Sequence, residues 1–200
     1  MAGESGYERK RREILEAALD ILTSRGFEGT TLEAVADALG YTKQALYYYF
    51  KSKEELLGSL VLGSLREGAA QVEAICAKEA SAASRLKDLV RVFLDDHFLR
   101  HGYFSITHML KGFHEKMPEG PERSEVEALS ARIPQAIIGM IGEGVAAGEF
   151  RNEDPKVLGG IVFAMLSGVI IHLDMPALAC AGCDSLKASL DEIIVKGISL

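Results

Sequence analysis

The segment from Thr30 to Lys53, TTLEAVADALGYTKQALYYYFKSK, constrains this chain more than any other. Leu32, Val35, Ala36 and Leu39 recur at helical spacing and make one apolar face. Gly40 follows as the closing residue, because glycine takes the left-handed cap conformation without a side-chain clash. Thr42 can cap a second helix, since its hydroxyl accepts a backbone N–H. That helix is expected to bury Ala45, Leu46 and Phe50 and to turn Lys43, Gln44, Tyr47 and Tyr48 outward. Taken alone, Tyr47 to Phe50 also fits a buried aromatic patch. Four consecutive aromatics cannot share one helix face, however, because each step turns by about 100°. Phe50 and part of Tyr49 go inward, and Tyr47 and Tyr48 stay out. Two short helices around a tight turn, with Lys, Gln and Tyr exposed on the second, suit a phosphate backbone and base edges.

Basic residues flank this surface. Lys51 and Lys53 fall at the start of the next helix, where unpaired N–H groups and the helix dipole attract phosphate. Thr31 holds the equivalent place on the first helix. Arg9-Lys10-Arg11-Arg12 is the densest basic run. It reads either as a solvated helix start or as an arm that tracks phosphate or enters a minor groove. The net charge of −7 argues against nucleic acid at first sight, but residues 1–53 hold 8 Lys/Arg and 8 Asp/Glu, so the deficit lies entirely beyond them. Local fields decide phosphate contact.

Helical periodicity continues through the rest of the 200 residues, with 5 prolines to interrupt it. Tyr7 to Arg25 carries Ile14, Ala17, Ala18, Ile21 and Leu22 on one face. Ser52 and Glu55 have the spacing of a capping box at the head of a long helix. Its stripe runs through Leu56, Leu57, Leu60, Val61, Leu65, Val72, Ile75 and Cys76. Further helices are expected from Ser84 to about Gly102, from Tyr103 to Lys116, and from Val126 to Ala147. Two more are expected after Asp154-Pro155 and from Ser185 to Ile198. Met117 to Ser124 breaks the pattern with two prolines and a glycine, and Pro176 to Cys183 reads as a loop. No strand alternation or repeat is present. The fold class is therefore all-α, about nine helices, with residues 1–53 as a small head and 54–200 as a larger bundle. The charged N-terminus lacks the apolar core of a secretory leader, and three cysteines do not make a disulfide framework. Both point to a reducing cytoplasm.

The run Leu46-Tyr47-Tyr48-Tyr49-Phe50-Lys51-Ser52-Lys53-Glu54-Glu55-Leu56 resembles the helix-turn-helix of TetR-family transcriptional regulators. Gly26-Phe27-x-x-Thr30-Thr31 and Val35-Ala36-x-x-Leu39-Gly40 fit the same pattern, so the likeness covers roughly residues 8–65. Tyr41 departs from it, standing where the family usually has an aliphatic residue. The resemblance implies that Lys43, Gln44 and Tyr47 face base edges or groove walls. It implies that Thr31, Tyr48, Tyr49 and Lys53 grip the backbone, with Thr42 and Lys51 beside them. It also implies a homodimer on a palindromic duplex operator, and a four-helix interface between subunits.

Composition offers such an interface. Val157 to Leu173, VLGGIVFAMLSGVIIHL, is apolar nearly all round, which suits a helix covered by its own bundle and by a second subunit. Gly160, Ala164, Ser167, Gly168 and Ile171, with Leu190 and Ile194 of the last helix, are its expected contacts. A membrane span competes, but the run is shorter than the ~20 residues a span needs.

The middle helices read as a pocket for a small, mostly apolar effector: Phe93, His97, His101, Phe104, His108, Met109, Phe113, Met140 and Phe163. His97 and His101, four residues apart, also fit a satisfied core pair or two metal ligands. Cys180 and Cys183 have CxxC spacing without a second pair. No Gly-rich phosphate loop, nucleophile elbow or HExxH is present, so neither an enzyme nor a cofactor is expected. Asp96, His97 and His101 are the residues on which an enzyme would rest. The leading expectation is a ligand-responsive transcriptional regulator, most simply a repressor. A DNA-binding dimer without a ligand is the other.

Overall fold

Side-chain caps set the frame of the chain. The computed structural model describes residues 5–100, 119–172 and 183–199, with side chains at all of these but 95–100, 171 and 183. The first helix, α1 (Gly6–Gly29), starts at Ser5, whose hydroxyl accepts from the Glu8 N–H while the Glu8 carboxylate accepts from the Ser5 N–H. That reciprocal pair is a complete capping box. Gly26, at φ 70°, breaks the helical geometry near its end. Thr31 then caps α2 (Leu32–Leu39) and Thr42 caps α3 (Lys43–Tyr49), each hydroxyl accepting the N–H three residues on, at 3.1 and 3.2 Å. Gly40 sits between them at φ 66°, the left-handed conformation expected of it.

Ser52 starts α4 (Lys53–Cys76) by accepting from the Glu55 N–H at 3.2 Å. The expected capping box is only half formed, because the Glu55 carboxylate accepts from the Lys51 N–H at 2.7 Å instead of from Ser52. The next helix, α5 (Ala82–Arg100), begins two residues before Ser84, with the Ser81 hydroxyl accepting from the Ser84 N–H. The following one, α6 (Pro121–Ala146), begins inside the expected break. Pro121 occupies the first helical position, where the absent N–H has no partner to lose. Asp154 caps α7 (Pro155–Ile171) with Pro155 behind it, as expected. The last helix, α8 (Cys183–Leu190), passes into a π-helical turn, Asp191–Lys196. The helix expected over Tyr103 to Lys116 lies outside the described residues, as does the loop expected over Pro176 to Cys183 except for Cys183, which is the first residue of α8. Among those described, no strand is present beyond an isolated bridge between Phe150 and Ser199.

Two apolar cores divide the molecule. The first joins Ile14, Ala18 and Leu22 of α1, Val35 of α2, Leu46 and Phe50 to the stretch of α4 from Leu56 to Leu65. Val126 and Leu129 of α6 close it. The second joins α4 from Ala69 onward to α5, α6, α7 and α8 around Phe93, Met140 and Phe150. Thus α4 and α6 belong to both. Two surface ion pairs bind them along their length, Arg66 to Glu125 and Arg132 to Glu73, the second through two parallel hydrogen bonds of 2.7 and 2.5 Å. Among the described residues no helix is long and apolar enough to cross a membrane.

Candidate nucleic-acid interface

The outward face of α3 follows from what anchors its inward face. Leu46 and Phe50 are fully buried, Ala45 and Tyr49 half-buried, and Lys43, Gln44, Tyr47 and Tyr48 exposed. The helix is only seven residues long, so its position rests on neighbours rather than on its own hydrogen bonds. The Arg11 guanidinium lies 4.5 Å from the centre of the Phe50 ring and donates to the Ser59 hydroxyl at 2.7 Å, tying α1 to α3 and α4. Tyr41 fills the turn ahead of α3. Its hydroxyl accepts from the Lys10 ammonium at 2.7 Å and donates to the Glu13 carboxylate at 3.1 Å. A tyrosine here, in place of an aliphatic residue, thus gains two polar partners on α1 and keeps the turn packed. The hydrogen bond from Lys10 to Tyr41 holds the ammonium pKa above its ordinary value.

The basic residues divide by task. Arg9 to Arg12 are helical, part of α1 and not of an extended arm, and Lys10 and Arg11 face the head's own side chains. Lys53 donates to the Phe27 carbonyl at 2.6 Å with its ammonium 4.1 Å from the Phe27 ring centre, so it fastens the start of α4 to the end of α1. Lys51 donates to the Tyr47 carbonyl at 3.1 Å. Lys43 is exposed and forms an ion pair with Glu33 of α2. Its ammonium also lies 5.7 Å from the Tyr47 ring centre. The hydrogen bond between Lys43 and Glu33 raises the Lys43 pKa and lowers that of Glu33. Thr31 and Thr42 spend their hydroxyls on capping. The exposed side of α3 therefore carries Lys43, Gln44, Tyr47 and Tyr48, with Glu33 of α2 beside Lys43. A cation, an amide and phenols on one rigid face can bond phosphate oxygens and base edges. Glu33 and the pairing of Lys10 with Tyr41 are the participants that sequence spacing did not single out; helical position alone puts Glu33 on the exposed side of α2.

The two other expected sites meet the structure differently. Phe93 and Met140 are buried in the larger core, with Phe163 half-buried against it. The His97 side chain, His101, Phe104, His108, Met109 and Phe113 lie outside what is described. So do Cys180 and the Cys183 side chain. Among the described residues no group of His, Cys, Asp or Glu could hold a metal ion. On α7, Ala164 is exposed and Gly160, Ser167 and Gly168 half-exposed, while the Ile171 side chain is not described. Leu190 and Ile194 are not on the outer surface as expected: both are buried, because α8 and the π-helical turn pack that face onto α5. The outward apolar residues are Val157 and Ile161 of α7 and Ile193 of the turn. Steps of three and four from Ala164 back to Ile161 and Val157 carried that signal in the sequence.

Residues 14–60 match the bacterial regulatory proteins of the tetR family, and residues 79–171 match the tetracyclin repressor-like C-terminal domain. The HTH-type transcriptional repressor NicS of Pseudomonas putida is 28% identical over 149 residues, 73% of this chain and 68% of the relative. The HTH-type transcriptional regulator RutR of Escherichia coli is 51% identical over 47 residues, 24% of this chain and 22% of the relative. The fold is shared with AibR, solved in complex with isovaleryl coenzyme A and operator DNA. The TM-score is 0.74 at 20% identity, over 93% of this chain and 98% of that one.

Proposed function

The chain belongs to the tetR family of bacterial regulatory proteins, and on that premise we propose that it is a ligand-responsive repressor that binds a palindromic operator as a homodimer. The observation that carries this reading is the outward presentation of Lys43, Gln44, Tyr47 and Tyr48 from a short helix anchored by Leu46 and Phe50. Residues 1–53 supply the reading surface and residues 54–200 the assembly and effector functions. A single helix-turn-helix covers few base pairs, so two copies set one helical turn apart, about 34–36 Å, supply the affinity. The apolar outer face of α7, with Val157, Ile161 and Ala164, is the surface on which the second copy docks.

Gln44 reads a base edge, Lys43 and Tyr47 reach the groove wall, and Thr31, Thr42, Tyr48, Tyr49, Lys51 and Lys53 hold the backbone. Lys53 gives one of its three donors to Phe27 and keeps the others for phosphate. The effector is small and mostly apolar and enters the bundle beside Phe93, Met140 and Phe163. It releases DNA only if it binds one spacing of the two heads better than the other. A relative named as a transcriptional repressor, and a fold neighbour solved with an acyl coenzyme A and operator DNA, support that reading. The sequence holds no Gly-rich phosphate loop, nucleophile elbow or HExxH, and the protein works in the cytoplasm.

The test uses a duplex enriched from a random-sequence pool by the wild-type protein. Gln44→Ala is expected to relax preference at one base pair of each half-site, by about 1–3 kcal/mol, without lowering the melting temperature. Unchanged discrimination at every position sinks the assignment of α3 as the reading helix.

A further inference from the structure

Tyr7 sits in the first turn of α1, outside the span matched by the family's DNA-binding region, which begins at residue 14. Its ring does not enter the core. It stacks on Tyr49 at 5.1 Å between centroids, with an interplanar angle of 29°, and meets Tyr48 edge-on at 5.9 Å and 80°. Tyr48 and Tyr49 are themselves edge-to-face at 5.1 Å. Three tyrosines from two helices thus form one surface cluster at the C-terminal end of α3. Much of this aromatic surface is open to water: Tyr7 is 42% exposed and Tyr48 66%. Aromatic pairs of this geometry stabilise each other enough to hold the rings in place. This does not account for leaving so much aromatic surface in water beside an amide and a cation.

The cluster continues the face formed by Gln44, Tyr47 and Tyr48. One turn further along α1, Lys10 and Arg11 fasten the helix to Tyr41 and Phe50. The capping box at Ser5 and Glu8 fixes the turn that carries Tyr7. Tyr7 is therefore held on both sides, by its own helix start and by the end of α3. Phenol hydroxyls donate to phosphate oxygens, and such contacts position a protein on a duplex without reading sequence.

We propose that Tyr7 is a DNA-backbone contact: its hydroxyl donates to a phosphate oxygen, and its ring, with Tyr48 and Tyr49, forms a platform against the same strand. This rests on α3 being the reading helix, and it carries the interface into the first turn of α1. Tyr7→Phe keeps the stacking and removes only the hydroxyl. Tyr7→Ala removes both. On the enriched duplex, Tyr7→Phe is expected to weaken binding by about tenfold to 150-fold, the range of a hydrogen bond to a charged group. Tyr7→Ala is expected to weaken it further. Because the side chain is neutral, the slope of log affinity against log salt should not change for Tyr7→Phe. Discrimination between the enriched duplex and single-base variants, the melting temperature and the oligomeric state should also stay as in the wild type. Wild-type affinity for Tyr7→Phe overturns the proposal, as does weakened binding accompanied by a lower melting temperature or altered discrimination. Gln44→Ala measured alongside separates the two ideas. If it changes base preference and Tyr7→Phe does nothing, only the Tyr7 contact fails. If neither has an effect, the reading of α3 fails with it.

Discussion

The head and the bundle use the same kind of helix in opposite ways. In the head, short helices bury few side chains and present the rest to a partner: α3 fully buries Leu46, half-buries Ala45 and Tyr49, and exposes Lys43, Gln44, Tyr47 and Tyr48. In the bundle, long helices turn their distinctive side chains inward: Phe93 and Met140 are buried in the larger core, together with Phe150 from the connection between α6 and α7. The head's chemistry can therefore be read from local rules, and it can be altered one side chain at a time. The bundle's chemistry depends on how distant segments pack, and most changes there alter stability first.

That contrast would break down if the two regions did not unfold as one. Phe150 is fully buried between α6, α7 and the end of the chain. Phe150→Ala is expected to cost about 3–5 kcal/mol, the range for deleting a buried aromatic ring and leaving a cavity behind. The chain has no tryptophan, and five of its six tyrosines (7, 41, 47, 48 and 49) lie in the head. Tyrosine fluorescence thus reports on the head, and far-UV circular dichroism on every helix. Because α4 and α6 contribute to both cores, urea unfolding of Phe150→Ala should give coincident, lowered midpoints by the two probes. A fluorescence midpoint left at the wild-type value would make the head an independent unit.

Gly144 offers a smaller perturbation of the same core. A Cβ at this position would meet the Phe150 ring and, at 2.7 Å, the Ala82 side chain. That end of the bundle is tightly tied. The Glu149 carboxylate accepts from the Ala82 and Ala83 N–H groups at 3.2 and 3.1 Å, capping α5. The Arg85 guanidinium donates to the Cys76 carbonyl at 2.5 Å and pairs with Glu143 at 2.7 Å. With so little room to shift, Gly144→Ala should lose about 1–3 kcal/mol in the same denaturation experiment. A neutral or stabilising result would mean that Phe150 moves aside, and that this core is looser than its contacts imply.

The same difference governs what the sequence could foretell. Gly40, Thr42 and Leu46 act within one or two turns of themselves, so composition and spacing located α2, the turn and α3. The full capping box at Ser5 and Glu8 has the same spacing as Ser52 and Glu55, so the true start of α1 was also legible in principle. Lys53 bonding Phe27, Lys10 bonding Tyr41 and Tyr7 stacking on Tyr49 join residues 26, 31 and 42 positions apart. No periodicity encodes such meetings. The apolar face of Leu190 and Ile194 was visible as a face, but not what covers it. Periodicity gives a direction around a helix axis, and only the packed chain decides whether that direction leads to α5 or to a second subunit.

The finest test of the comparison concerns the ion pair between Glu33 and Lys43 on the reading surface. Glu33 holds the Lys43 ammonium in the free protein, and both groups are largely exposed. An exposed pair of this kind contributes little to stability, so Glu33→Gln should leave the melting temperature almost unchanged. Its effect on DNA is of a different kind. Phosphate and Glu33 compete for the same ammonium, and the carboxylate also repels the duplex. Glu33→Gln is therefore expected to tighten binding to the enriched duplex by up to about fivefold. The gain should be larger in dilute salt than at high ionic strength. Weaker binding by Glu33→Gln would reverse the interpretation: the ion pair would then be what orients Lys43 towards DNA. The exposed face of the head would depend on internal positioning as much as the bundle does.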